Sequence, residues 1–282
     1  MRVNTVLRGA KKPFDGVKPP FNRFRPSFRP PDLIGALLPA LCIIIWQILS
    51  ETNAIPAFML PSPRAVFHFT MDFAFGLHDR AAFSGSLAGH LMSSAGRVAA
   101  GFSIAVAVGL TLGYMSGSVS LIFRLVNPFV MLMRSVPGIG WLPVSIVWFG
   151  VGEKNTVFLI ALAAFFPIYA NTVHSVVAID DEYFAVANVF GASRIQILRH
   201  VILPLSFSGV TVGLRLGMGI SWAYLVLGEM TGVNSGLGAV MADGRMLGQT
   251  HIILVCMAVI AAAGAAADFV LSAVCRVLNP NT

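Results

Sequence analysis

Six stretches of this chain carry no Lys, Arg, Asp or Glu: residues 33 to 50, 98 to 123, 135 to 152, 155 to 179, 216 to 228 and 246 to 267. Apolarity this continuous leaves few ways to fold. In lipid each backbone amide must be bonded within its own segment, and about 20 helical residues cross the hydrocarbon. The third and fifth stretches extend backward past Arg134 and Arg215, giving spans near 123 to 149 and 204 to 229. The chain therefore reads as all-α, a polytopic membrane protein with six transmembrane helices. Its 56% hydrophobic and 11% charged residues agree, since a soluble domain carries about a quarter charged residues.

Basic residues orient these spans. Arg2, Arg8, Lys11, Lys12, Lys18, Arg23, Arg25 and Arg29 precede the first, against the acids Asp15 and Asp32, which puts the N-terminus in the cytoplasm. Six crossings return the C-terminus there, together with Arg124, Arg194, Arg199 and Arg276. The loops at 51 to 88 and 230 to 249 fall outside, carrying Glu51, Asp72, Asp79 and Asp243. Residues 1–31 read as a cationic cytoplasmic tail, kept extended by Pro13, Pro19, Pro20, Pro26, Pro30 and Pro31 and able to touch anionic lipid. Residues 32–282 form the transmembrane domain. No recognition fold for nucleic acid accompanies the tail. No small-residue cleavage site ends the first apolar run, so that run is a retained span.

Several chemistries lack their residues. None of the four lysines, Lys11, Lys12, Lys18 and Lys154, stands in a Gly-x-x-x-x-Gly-Lys-Ser/Thr loop, so the chain cradles no nucleotide phosphate of its own. Neither a Gly-x-Ser-x-Gly elbow nor a His-Glu-x-x-His helix is present. Cys42, Cys256 and Cys275 lie in or beside apolar runs without paired spacing and read as small hydrophobes. The histidines at 68, 78, 90, 174, 200 and 251 show no metal-ligand spacing. The expectation is no catalytic residue, no metal and no cofactor on this chain.

Charges in or near the spans need a reason, since each costs about 2.5 to 3.5 kcal/mol on insertion scales. Arg97 and Glu229 read as end-of-span residues that snorkel to the interface. Arg134 lies early in the third span. Arg215 lies about 16 Å into the fifth at 1.5 Å per residue, where it lines a cavity or the two-fold interface of a dimer, or pairs across helices; a cation on a solute route would suit an anion. Gly209, Gly213 and Gly217 recur every fourth residue and strip one face of that span, permitting close approach of another helix, within the chain or between copies. Ala261 to Ala267 make a second small-residue surface, and Pro137, Pro143 and Pro167 mark kinked or broken middle helices.

Between the fourth and fifth spans the sequence turns amphipathic. Asp180, Asp181 and Glu182 open a short helix whose apolar face is Tyr183, Phe184, Val186, Val189 and Phe190. Gly191 can end it in the left-handed conformation, Ser193 can cap the next helix, and Arg194 and Arg199 keep that helix at a watery surface. Pro204 fits the first turn of another helix. An amphipathic pair flanked by spans suits docking on a partner, or else lies on lipid headgroups.

This segment resembles the cytoplasmic coupling loop of ABC importer permeases, whose pattern is Glu-Ala-Ala, three residues, Gly, nine residues and Ile-x-Leu-Pro. Gly191 and Val201-Ile202-Leu203-Pro204 match its second half, while Ala185 stands where that family most often has Glu. Residues 134–153, Phe166 to Thr172, Gly213 to Gly217, Gly228-Glu229, Asn234 to Gly238 and Leu60-Pro-Ser-Pro63 are similar to the nitrate/sulfonate/taurine/bicarbonate group, covering about 57 to 280. The resemblance implies the type I importer fold in a bacterial inner membrane. It also implies a second permease copy, two cytoplasmic ATPase subunits that hold ATP and Mg, and an extracytoplasmic solute-binding protein. Coupling to the ATPase would fall to Glu182, Tyr183, Ala185, Ala187, Gly191, Ala192, Ser193, Arg194 and Pro204. Candidates for the pathway or dimer interface are Arg134, Gly213, Arg215, Gly217 and Glu229. Transport would proceed by alternating access: ATP closes the ATPase dimer, segment 182–200 acts as a lever, and the permease pair opens outward. The rival classes are a self-contained secondary transporter, which would need inverted repeats and paired ionisable groups at mid-membrane, and a membrane scaffold that moves no solute.

The topology is checked with single cysteines in a Cys-free background. Asp72→Cys and Asp243→Cys are expected to react with an impermeant thiol reagent applied to intact cells, and Lys12→Cys and Arg194→Cys are expected to stay unlabelled; outside labelling at position 194 overturns the six-span assignment.

Overall fold

A computed structural model describes residues 33–52, 55–56, 58–77 and 83–278; the tail 1–31, His78 and Asp79 lie outside them. The segment Met1–Trp46 forms one unit and Gln47–Thr282 another. Helix α1 (Leu33–Glu51) matches the first expected span: 19 residues, about 28 Å long. Its stretch Ala40–Glu51 is a shorter apolar helix by itself.

The second unit is built on helices throughout. Helix α2 (Pro63–Phe75) starts where the Ser62 hydroxyl accepts the Ala65 N–H at 3.2 Å, with proline in its first turn, and stops at Gly76 in the left-handed region. Asp72, expected in the outer loop, is buried in this helix: Ser84 Oγ donates to its carboxylate at 3.0 Å and the Gly85 N–H to its carbonyl. A thiol placed there would be shielded on either side of the membrane, so Asp243 is the informative probe. Helix α3 (Leu87–Ser118) begins earlier than the expected 98.

The third span is not one helix. Helix α4 (Ser120–Ser135) and the 3-10 turn Gly138–Gly140 with α5 (Trp141–Phe149) meet at 88°. Proline forbids the helical region to the residue before it, and Val136 is extended at φ −75°, ψ 120°, so the helix ends ahead of Pro137. After α6 (Glu153–Val177) come the short α7 (Asp181–Val189) and α8 (Arg194–Ile197), a π-helical turn at Leu198–Ile202, α9 (Leu203–Glu229), α10 (Leu237–Met246) and α11 (Thr250–Leu278). Among the described residues four helices are long and apolar enough to cross a membrane, five when the bent pair counts as one span.

Pro204 lies in the first turn of α9, as the sequence suggested, although the helical path runs unbroken from Arg194 to Glu229. A proline ring clashes with the carbonyl four residues back in an α-helix. The wider π turn just ahead of Pro204 gives that carbonyl room.

Helix α6 is the centre of the unit. Along α3, Gly101, Ala105, Gly109, Gly113 and Gly117 repeat every fourth residue, and a Cβ on those glycines would come within 2.7 to 2.9 Å of Ile160, Ile168, Thr172 and Val176 of α6. On its other side the α9 glycines do the same: Gly213 meets Asn171 at 2.8 Å, Gly217 meets Ile168 at 3.1 Å, and Gly228 meets Thr156 at 2.7 Å. The seam on α9 is thus filled by α6 of the same chain, and Gly213 and Gly217, both buried, pack within one copy. Where lipid is as apolar as leucine, such close approach supplies the packing that the hydrophobic effect cannot. Phe73, Leu237, Val240, Ile252, Val255 and Cys256 then tie α2, α10 and α11 into a second core.

Replacing Gly113 by Leu overpacks this seam and is expected to destabilise the protein by about 1 to 3 kcal/mol, read as a lowered melting midpoint in detergent, while Gly96→Ala, with nothing within 4 Å of its Cβ, leaves the midpoint unchanged.

Candidate functional site

Three regions gather the polar residues that packing does not explain. The first joins the starts of α3 and α6 to the end of α9. The Arg97 guanidinium donates to both oxygens of Glu153, through Nε at 2.7 Å, to Glu229 Oε1, and to the Ser235 carbonyl at 2.7 Å and hydroxyl at 3.1 Å. Glu229 is wholly buried, and its carboxylate also accepts from Ser94 Oγ at 2.8 Å and the Gly238 N–H at 2.8 Å. The Leu237 N–H donates to Ser94, and the Gly236 N–H to His90 Nδ1 at 3.0 Å.

Snorkelling was expected of Arg97 and Glu229. Instead both point inward, because each finds an opposite charge plus neutral partners, the condition under which a buried charge is tolerated. This also removes Glu229 from the pathway candidates, since a fully enclosed carboxylate touches no solute. The Asn-Ser-Gly-Leu-Gly run now has a reason: Gly236 sits at φ +126°, and a Cβ on it or on Gly238 would strike the Glu229 side chain. Ser94, His90 and Glu153 were missed. Glu153 directly follows a charge-free stretch, so only Arg97, at the start of the second span, could have flagged it.

The second region is the break in the third span. A cavity of about 280 Å³ is lined by Arg134, Val136, Gly138, Trp141, Phe166, Pro167 and Tyr224, among others. Gly138 is required there, since a Cβ would overlap the Tyr224 hydroxyl. Arg134 is exposed and has no ion-pair partner among the described residues. Arg215 is also exposed, but it does not line this cavity, and its guanidinium donates to both carboxylate oxygens of Asp268 on α11, at 2.9 and 2.7 Å. The pair leaves no net charge for an anion, and Asp268, at the edge of the last charge-free stretch, was not foreseen as its partner.

The third region lies between α6 and α9. Asp181 and Glu182 occupy the first turn of α7, Gly191 takes φ +70°, and Ser193 and Gln196 form a reciprocal capping box that starts α8. The box satisfies two backbone donors at once, so the turn is held rigidly. Glu182, Tyr183, Ala185, Gly191, Ser193, Arg194 and Pro204 are exposed, while Ala187 and Ala192 are half-buried beneath them. Val189, Phe190 and Ile195 are each more than three-quarters exposed, an apolar surface that water disfavours.

Residues 105–282 match the family described as binding-protein-dependent transport system inner membrane component. Among curated relatives, the aliphatic sulfonates transport permease protein SsuC of Bacillus subtilis is 35% identical over 83% of this chain and 82% of its own. The taurine transport system permease protein TauC of Escherichia coli is 30% identical over 88% of each. The nitrate import permease protein NrtB of Synechocystis is 29% identical over 77% of this chain and 78% of its own. In fold, the chain resembles an inward-facing MetNI methionine ABC transporter structure with a TM-score of 0.55 at 18% identity, over 67% of this chain and 95% of that one.

Arg97→Met strands the Glu229 carboxylate in the interior and is expected to cost about 3 to 5 kcal/mol, enough to lose assembled protein. Arg97→Met combined with Glu229→Leu should regain a measurable part of the melting midpoint; a double variant no better than the single one would show that the pair is not energetically coupled.

Proposed function

The chain belongs to the family of binding-protein-dependent transport system inner membrane components, and from that premise we propose how this permease pairs, couples and selects. As a member it is a multi-pass inner-membrane permease subunit of an ABC importer, the ATPase being a separate subunit. Its partners include that ATPase and a solute-binding protein. Two copies of this chain would form the pore, with two ATPase subunits holding ATP and Mg on the cytoplasmic side. Both termini face the cytoplasm, as the basic residues argue, with residues 1–31 preceding the permease domain of 32–282 in sequence.

The observation that carries the coupling role is the capped, apolar-faced pair α7–α8 between α6 and α9. Tyr183, Val186, Val189, Phe190 and Ile195 fill a groove on the ATPase, where aromatic and aliphatic anchors supply most of the binding. Ala185 and Ala187 leave room for close approach, Gly191 makes the turn, Ser193 fixes it, and Glu182 and Arg194 set charge at its rim. Because α8 continues into α9, movement of the loop passes straight into the bundle.

The cargo is a small anion. Relatives named for sulfonates, taurine and nitrate support this reading, and so does Arg134, an unpaired cation on the wall of the broken-span cavity. On a largely apolar wall, a guanidinium without a carboxylate attracts a planar or tetrahedral oxyanion that it can hold with two hydrogen bonds.

Gly191→Pro, which forbids φ +70°, and Ala187→Arg, which adds bulk beneath the apolar face, are expected to leave the permease inserted while abolishing ATP hydrolysis stimulated by the loaded binding protein. Full stimulation with normal assembly in both variants refutes the coupling role.

A further inference from the structure

Three cavities of this chain share walls in sequence. The broken-span cavity adjoins a second of about 250 Å³ through Arg134 and Phe166, which line both. The second lies between α4 and α6 and adjoins a third of about 300 Å³ through His174. The third reaches Asp180 and Tyr183, at the foot of the α7–α8 pair. Together they trace a groove from the middle of the bundle to the end that carries the coupling segment.

The middle cavity is mostly apolar, with Phe123, Val130, Met131 and Val173 in its walls, yet four hydrogen-bonding side chains interrupt it. On α4, Arg134 and Asn127 stand seven residues apart, two turns on one face. On α6, Tyr169 and His174 stand five apart. The Tyr169 residue is 1% exposed, and its hydroxyl is buried with no hydrogen-bond partner among the described residues. An orphaned buried hydroxyl costs about 1 to 3 kcal/mol. It persists in a native structure where something else satisfies it.

We propose that this α4–α6 groove is the inner leg of the solute route, a binding station for a small oxyanion formed by the Arg134 guanidinium and the Tyr169 hydroxyl, with the Asn127 amide and His174 ring continuing it toward the coupling segment. The inference rests on the anionic cargo argued above. Guanidinium, hydroxyl, amide and imidazole can all donate to oxyanion oxygens, and no carboxylate lines the middle cavity to repel an anion. One strong site would trap the ion. A succession of weak donors, of which Arg134 and His174 also line the neighbouring cavities, lets it move on.

The test uses the whole transporter, this permease with its ATPase and binding protein in proteoliposomes, and labelled ethanesulfonate, taurine and nitrate as probes. At least one of the three should be imported by the unmodified protein; import of none overturns the anionic reading and the groove with it. For the imported anion, Tyr169→Phe and Arg134→Gln are expected to cut uptake about tenfold with the melting midpoint of the complex unchanged, Asn127→Ala less, and Arg134→Lys is expected to recover part of the loss. Wild-type uptake in both Tyr169→Phe and Arg134→Gln overturns the groove while leaving the anionic cargo standing. An uptake loss that tracks a fallen midpoint assigns Tyr169 to packing and overturns it equally.

Discussion

The close approach of α3 and α9 to the two sides of α6 is the constraint on which the rest of the structure depends. Helices surrounded by lipid gain nothing from burying leucine against leucine; they gain from contacts that lipid chains cannot make. Glycine at every fourth position supplies those contacts by letting Ile160, Ile168, Thr172 and Val176 sit against bare backbone. Once the three helices are fixed, the starts of α3 and α6 and the end of α9 come together, and so do Arg97, Glu153 and Glu229. The same packing leaves α4 and the broken span free to stand off α6 and enclose cavities.

The ion-pair cluster is a dependent feature with its own demands. Its guanidinium and carboxylate are nearly solvent-free, so each missing hydrogen bond would be costly; the Ser94 hydroxyl and the Gly238 N–H donate to Glu229, and Gly236 leaves its side chain room. Glu153, whose side chain is 63% exposed, contributes less, since water screens it. The lock is therefore centred on Arg97 and Glu229, with Glu153 at its wet edge.

Much of this was legible in the sequence, for identifiable reasons. Span positions follow from charge-free runs, and the α7–Gly191–α8 turn follows from acids, glycine and a capping serine placed at helix ends. Chemistry of that kind is local. What was misread, or left without a named partner, was pairwise. Arg97 with Glu229, and Arg215 with Asp268, lie 132 and 53 residues apart, and a span boundary looks the same whether its charge snorkels or pairs. The bend after α4 was visible in Pro137, but its 88° was not, because proline forbids continuation without dictating direction. The seam on α3 escaped notice since Ala105 interrupts its glycines, and the α9 seam could not reveal from sequence which helix it would accept. Arg134 was readable as a charge in a span, but neither its place on a cavity wall nor its lack of an ion-pair partner among the described residues was.

The π-helical turn ahead of Pro204 sets the phase between the coupling segment and the membrane. A π turn holds one residue more than an α turn, so everything beyond it is rotated by about 100° relative to an uninterrupted helix. The apolar edge that α8 presents outward and the glycine edge that α9 presents to α6 are therefore out of step by that angle, although they belong to one continuous rod. The extra residue of that turn therefore decides which face of α9 meets α6 for a given facing of α8.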